Sequence, residues 1–359
     1  MPATIRPVEP RTRELAPDDP GQRRASRFRL GLASERQHHM DEVICATEAA
    51  ARELGLEVRR VGTEADEASV DVLVAVGFPH YYPNLLRRPR RAHRILWYGE
   101  PLPSPGRGLV PAVLQTIPLP RLTDLAMRLW PPLTRWRRLA HLRARAATER
   151  LYAKNLRELC RAATRFDEVV TTSQQRVAAC RAVGIAARVV PYGYHPLTTG
   201  PLADADVRGR DVPVLLLGTE LKARTRRSAV IRSLEQALPP SVPLLTIGEG
   251  LYGEDRARLL RRTRVVLDVH RVPGSFTGLR VIMAAAAGAV LVTEPFEGPT
   301  PFAPGVHHVE APADRLAEAV CGILRDDSLA RRLVEAAQSL LRGELAMAAC
   351  LGRLTTPPA

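Results

Sequence analysis

The chain has 359 residues, more than one hydrophobic core of ordinary size accommodates, so two domains are expected. Its net charge of +14 comes almost wholly from arginine, with Lys154 and Lys222 the only lysines, and favours anionic partners such as nucleotide-sugar phosphates or anionic lipid. No zinc-finger spacing and no basic run with interleaved aromatics occurs, so no nucleic acid is expected; no apolar run is long enough to span a bilayer, and five scattered cysteines suit a reducing cytoplasm.

Residues 1–26 are proline-rich and charged and read as a disordered tail with no signal peptide. RFRLGLAS (27–34) reads as a buried strand, and MDEVICATEAAARELG as the helix after it. LEVRRVG, VDVLVAVG, HRILWYG and FDEVV (166–170) are further strand candidates. Strands alternating with helical patterns predict an α/β domain with a parallel sheet, here over 27–190, and ligands of such sheets bind beyond the carboxyl ends of the strands. Four segments leave those ends: SERQHH, FPHYYP, EPLPSP and TTSQQ. His38 and His39 in the first are candidate general bases toward an acceptor hydroxyl. Glu100 in the third could bind acceptor hydroxyls or cap a loop.

Residues 106–150 interrupt the pattern with leucines, two tryptophans, prolines and many arginines. They read either as a helical insertion packed on the domain with its arginines solvated, or as an interfacial segment or acceptor lid, centred on 120–145, near anionic lipid. Residues 191–211 are rich in turn formers, lack helical periodicity and read as the linker. A second α/β set occupies 212–359, with strands VPVLLLG (212–218), PLLTIG (243–248), VVLDVH (265–270) and AVLVTE (289–294) and two helices near the end of the chain. The last helix is expected to be able to pack back on the first domain.

LLLGTELKARTRR places Gly218 at a strand end and Lys222, Arg224, Arg226 and Arg227 at the next helix start, where free N–H groups and the helix dipole already favour phosphate. That helix start is expected to be exposed at the cleft. The segment GLRVIMAAAAGAV is apolar on all sides and is expected to be largely buried, so its Arg280 needs an anion: Asp268 or Glu294 in a structural pair, or a donor phosphate. His270 ends a strand, where a satisfied structural histidine and a ligand-facing one are both open. No phosphate-binding GxxxxGK[ST] loop, no GxSxG elbow and no GxGxxG after a first strand occurs. Glycines 248, 250 and 253 are spaced like the last of these but precede a short helix. The Asp204-Ala205-Asp206 match to D-x-D lies in the linker and reads as solvated turn residues, so no metal site is expected.

Four stretches together carry a resemblance: FDEVVTTSQQRVAACRAVGIAARVVPYGYHP, VLLLGTELKARTRR, TRVVLDVHRVPGSFTGLRVIMAAAAGAVLVTE and FEGPTPFAPGVHHVEAPADRLAEAV. Their order and spacing resemble a GT-B glycosyltransferase, most closely the family-4-like group that includes the spore-maturation-type glycosyltransferases. The resemblance covers roughly residues 160 to 342 and, loosely, the first domain. It implies two Rossmann-like domains with parallel sheets facing a cleft, acceptor side first and donor side second, and a cytoplasmic enzyme, bacterial in type, at most peripheral at the inner membrane face. It also implies metal-independent transfer of a sugar from a nucleotide-diphosphate sugar, used as co-substrate with no other cofactor, to a small-molecule or glycan acceptor. Carried over, Gly218, Arg226 and Arg227 would lie near the donor diphosphate. His270, Ser275, Phe276, Thr277 and Arg280 would line the donor loop, Gly288 and Ala289 the turn behind it, and Thr293 and Glu294 the end of the next strand. Arg280 and the Arg226–Arg227 pair would offset the charge of the departing diphosphate, the task a metal performs elsewhere. The family's two glutamates eight positions apart fall at Ser275 and Met283, and methionine cannot replace a carboxylate that grips the donor ribose. Nucleotide recognition must therefore differ here, or the scaffold binds a nucleotide sugar or a protein partner without turnover.

Overall fold

The computed structural model describes residues 28–35, 40–103, 152–218, 226–248, 251–271, 273–276 and 278–356. The tail, the insertion at 106–150 with its 120–145 segment, His38, His39, Lys222, Arg224 and Thr277 lie outside the described residues. Among the described residues, no helix is long and apolar enough to cross a membrane.

The first sheet has six parallel strands, β1 (Arg29–Ala33), β2 (Glu57–Val61), β3 (Val72–Val76), β4 (His93–Tyr98), β5 (Glu168–Thr171) and β6 (Ala187–Val189), in the order β2-β1-β3-β4-β5-β6. Every residue of β3 is buried, as in a sheet covered on both faces, whereas edge strand β2 buries only Val61. The helices of this half are α1 (Asp41–Glu53), α2 (Glu64–Ala68), α3 (Pro83–Arg87), α4 (152–163) and α5 (Gln174–Arg181), with the single turn α6 (Pro196–Thr199) inside the stretch expected to be a linker without helix. Proline at its first position favours that turn, and His195 caps it by accepting from Leu197 N. Under β4, the buried Arg94 donates to both oxygens of the buried Glu67, at 2.7 and 2.9 Å, and to the carbonyls of Leu85 and Pro89, so this interior charge is fully partnered.

The second sheet has five parallel strands, β7 (Val212–Leu217), β8 (Leu244–Ile247), β9 (Thr263–Asp268), β10 (Val290–Thr293) and β11 (Val309–Glu310), in the order β11-β10-β9-β7-β8. Around it lie α7 (Arg226–Ala237), α8 (Gly253–Arg261), α9 (Gly278–Ala286), α10 (Leu316–Arg325) and α11 (Asp327–Arg342). Both sheets wind alike. The second strand takes one side of the first, and the third returns to the other. Each sheet therefore has a switch point beside its first strand, at β1/β3 and at β7/β9, and the crevice beyond the carboxyl ends there is where ligands of open α/β sheets bind.

The chain crosses between the halves twice. It leaves the first sheet through 190–211 and returns in α12 (Met347–Thr355), whose Met347, Cys350, Leu351 and Leu354 are buried in one apolar cluster with Val43, Ala46 and Ala50 of α1. The two crossings are bonded to each other, Tyr194 N to Leu345 O at 2.7 Å and Met347 N to Tyr194 O at 2.8 Å. Gly193 makes the approach feasible, since a Cβ there would lie 2.5 Å from the Met347 Cα. The halves also meet at α8, where Glu42 of α1 accepts from Gly253 N at 3.0 Å and from Arg256, anchoring the first turn of the helix.

Candidate functional site

The β7/β9 switch point gathers the charged residues of the second half. Gly218 follows β7 with φ +132°, a conformation open to glycine, and a Cβ there would lie 2.8 Å from both terminal nitrogens of Arg227. Arg227 is 3% exposed and donates from Nη2 to the Leu217 carbonyl at 3.0 Å. This corrects the expectation of an exposed helix start: one arginine of the pair folds under the strand end. Its neighbour Arg226 stays one-third exposed and donates from Nη1 to the His270 carbonyl and to Glu294 Oε2, each at 3.0 Å, while Nη2 meets Glu294 Oε1.

Arg280 lies in the first turn of α9 and pairs with Asp268 at the end of β9. α9 is not buried all round. Leu279, Arg280 and Met283 form a half-buried stripe, and the Arg280 side chain is 20% exposed. The helix is largely buried, as expected: Val281, Ile282 and the alanines 284–287 are fully packed, and Leu279 and Met283 pack against the core from the half-buried stripe. Met283 is partly buried against the core, one turn beyond Arg280 on the same face.

His270 is buried, and its hydrogen bonds fix its tautomer. Nδ1 accepts from Gly274 N at 3.2 Å, so Nε2 carries the proton and donates to Thr293 Oγ1 at 3.0 Å. Its backbone N donates to Glu294 Oε2 at 2.8 Å. Burial lowers its pKa, against the opposing pull of Asp268 and Glu294, so the ring stays neutral. His270 stacks on Phe296 at 5.2 Å, and Phe296 meets Phe276 edge-on at 5.1 Å. Ser275 is half-buried and Phe276 is buried beside them. Gly218, Arg226, Arg227, His270, Ser275, Phe276, Arg280, Met283 and Glu294 thus fall on the segments that end β7, β9 and β10, or on the helices that follow. The two buried carboxylates, Asp268 and Glu294, bind the arginines and fix their directions. Arg226 is thus held by Glu294 and Arg280 by Asp268, with Arg227 folded under the end of β7 beside them.

Glu100 lies on the other half, beyond β4, and meets the donor-side loop through one guanidinium, that of Arg176. Its carbonyl accepts from Arg176 Nε at 2.9 Å. Arg176 is buried and belongs to this arrangement, yet its sequence context, QQRVAACR, is that of a polar helix with a solvated arginine. Asp204 and Asp206 sit in turns, Asp206 being paired with Arg208 and Arg331. Among the described residues, no group of three or more His, Cys, Asp or Glu is placed to hold a metal ion.

Residues 224–351, most of the second half, match a family model described as glycosyl transferase-like. The chain has the GT-B fold, two Rossmann-like domains with parallel sheets, and its second half carries the glycosyl transferase-like match. Its fold is similar to that of Anabaena Alr3699/HepE crystallised with UDP, at a TM-score of 0.53 and 12% identity over 91% of this chain and 98% of that one. The same Anabaena protein with UDP-glucose gives a TM-score of 0.51, with 12% identity over the same shares. TarM gives 0.51 with 11% identity, over 81% of this chain and 56% of that one. At such identities the likeness establishes the two-domain fold, and the family match over the second half carries the class of enzyme. No curated protein sequence matches the chain.

Proposed function

We propose that the chain transfers a sugar from a nucleoside diphosphate sugar to an acceptor hydroxyl, without a metal, in the manner of the family-4-like and spore-maturation-type group. The observation that carries this reading is the gathering of Arg226, Arg227 and Arg280 at the β7/β9 switch point, with Arg226 and Arg280 directed by buried carboxylates. A departing diphosphate gains negative charge at its oxygens. Pre-oriented guanidiniums offset that charge without reorganising as it develops. Arg226 is the residue best exposed to contact it, and Arg280 reaches the same face from the first turn of α9. Arg227, buried under Gly218, contributes charge and holds the β7 end rather than touching ligand. His270, neutral and bonded at both ring nitrogens, shapes the loop and is not a proton carrier. That the fold hosts UDP and UDP-glucose in the Anabaena protein supports a uridine nucleotide as the first donor to try. A small-molecule or glycan acceptor would approach from the first half, past Glu100. We place the protein in the cytoplasm, with peripheral contact at the inner membrane face assigned to the 120–145 segment.

A second reading keeps the scaffold and drops turnover. By the resemblance, Ser275 and Met283 would stand where that group carries carboxylates, and Arg226 and Arg280 are already paired within the chain. Incubation with UDP-glucose and a panel of glycan acceptors separates the two. UDP release that depends on acceptor supports the transferase. UDP binding with no release, from this or any other nucleoside diphosphate sugar, supports the non-catalytic scaffold.

A further inference from the structure

We propose that Arg176 is a positioning residue that ties the donor-side loop to the acceptor-side loops across the seam between the halves; the inference rests on the nucleotide-sugar reading above. Arg176 stands in the first turn of α5 and is buried. Its Nε donates to the Glu100 carbonyl at 2.9 Å, its Nη1 to the hydroxyls of Thr172 at 3.0 Å and Ser173 at 2.9 Å, and its Nη2 to the Phe276 carbonyl at 3.3 Å. The loops that follow β4, β5 and β9 therefore meet at one guanidinium, and the third belongs to the other half.

The partners are unusual for a buried cation. Arg94, the other deeply buried arginine of this half, lies against both oxygens of Glu67. The hydrogen-bond acceptors of Arg176 named above are all neutral, two carbonyls and two hydroxyls. Burial pulls its pKa down, opposed by the fields of Tyr192 and Glu100. Removing a charge from water for neutral partners is costly. The position is explained by what only a planar fork does: it donates in several fixed directions at once, to segments distant in sequence. A lysine ammonium, a compact charge on a flexible stem, cannot span them.

The grip leads into the donor site. Phe276 meets Phe296 edge-on, Phe296 stacks on His270, and the His270 backbone binds Glu294, the partner of Arg226. On the acceptor side, the same guanidinium holds the backbone of Glu100. Gln175, the preceding residue, adds a second contact across the seam at 3.4 Å to Glu297. Arg176 thus makes the placement of the Glu100 loop depend on the state of the loop beside the donor arginines.

Hydrogen–deuterium exchange on the full chain tests this, in the wild type and in Arg176→Lys, each with and without UDP. Arg176→Gln, which buries no charge, serves as the second variant should Arg176→Lys not fold. Without ligand, either variant speeds exchange about tenfold, the change expected for one ordinary hydrogen bond, in the peptide carrying Ser275 and Phe276 and also in the peptide carrying Glu100, with β3 unchanged. In the wild type UDP slows both peptides, and in the variants it slows only the first. Faster exchange confined to α5, or UDP protection of both peptides in a variant, overturns the proposal. If UDP, GDP and ADP each protect neither peptide in the wild type, the nucleotide reading fails, and the two-sided loosening without ligand alone decides the role of Arg176.

Discussion

Arg226 and Arg280 each meet a buried carboxylate at a strand end, so each reaches the site with its direction set and part of its charge offset. Removing either has two effects. Arg280→Ala removes an ion-pair partner of the fully buried Asp268, and breaking such a pair costs about 3 kcal/mol or less here because the arginine is partly exposed. Urea unfolding checks this, and Arg280→Ala with Asp268→Asn should recover much of the loss. Recovery of stability without recovery of UDP binding marks Arg280 as a ligand contact as well as a structural one. His270 gives a pH signature. Its folded pKa is lowered by burial, so the unfolded chain takes up the proton first as pH falls. The stability it contributes is complete above the unfolded value near 6.5 and declines as pH drops below it. Buried His308, and His307 beside it, act in the same direction. Unfolding free energy measured between about pH 7 and pH 5 should fall, and less steeply in His270→Gln; an equal slope would remove His270 from the account. The types of these residues were legible in the sequence, and their partners were not. Arg226 lies 68 positions from Glu294, and Arg176 lies 100 from Phe276, so the pairings exist only once the sheets are wound.

The strands were legible where both faces are buried, as in β3, β4, β7 and β9, because continuous apolar runs between turn formers have few other uses. β6, three half-buried residues, and β11, two, carry no such pattern and are set by their neighbours in the sheet. α9 was legible as a largely buried helix, and its half-buried stripe of Leu279, Arg280 and Met283 was not. α12 matters most among the helices, since it closes the second crossing against α1. Gly193→Val pushes a side chain into the Met347 backbone, and we expect a loss of about 1–3 kcal/mol, as for other overpacked interiors. Scanning calorimetry checks it; an unchanged melting temperature would mean that α12 yields without cost and that the crossing is looser than its hydrogen bonds imply.

Across the whole molecule, two sheets of the same winding present the carboxyl ends of β4 and β5 to the loop beyond β9, and Arg226, Arg227 and Arg280 gather at β7/β9. The alternation of strands and helices made the two-domain α/β fold legible. The identity of the donor was not, since the resemblance would put a sugar-hydroxyl contact at Ser275 and a ribose contact at Met283, and neither is the carboxylate it calls for. The central claim is that a nucleoside diphosphate binds at that switch point through Arg226. Titration calorimetry of UDP, with GDP and ADP beside it and uridine as the control, tests it most directly in the wild type and Arg226→Ala. We predict that one diphosphate binds the wild type, that its bare nucleoside binds far more weakly, and that Arg226→Ala loses about 1.5–3 kcal/mol of diphosphate affinity, as for a charge-assisted hydrogen bond. Equal affinity in wild type and Arg226→Ala, or no heat with any of the three diphosphates, would contradict it.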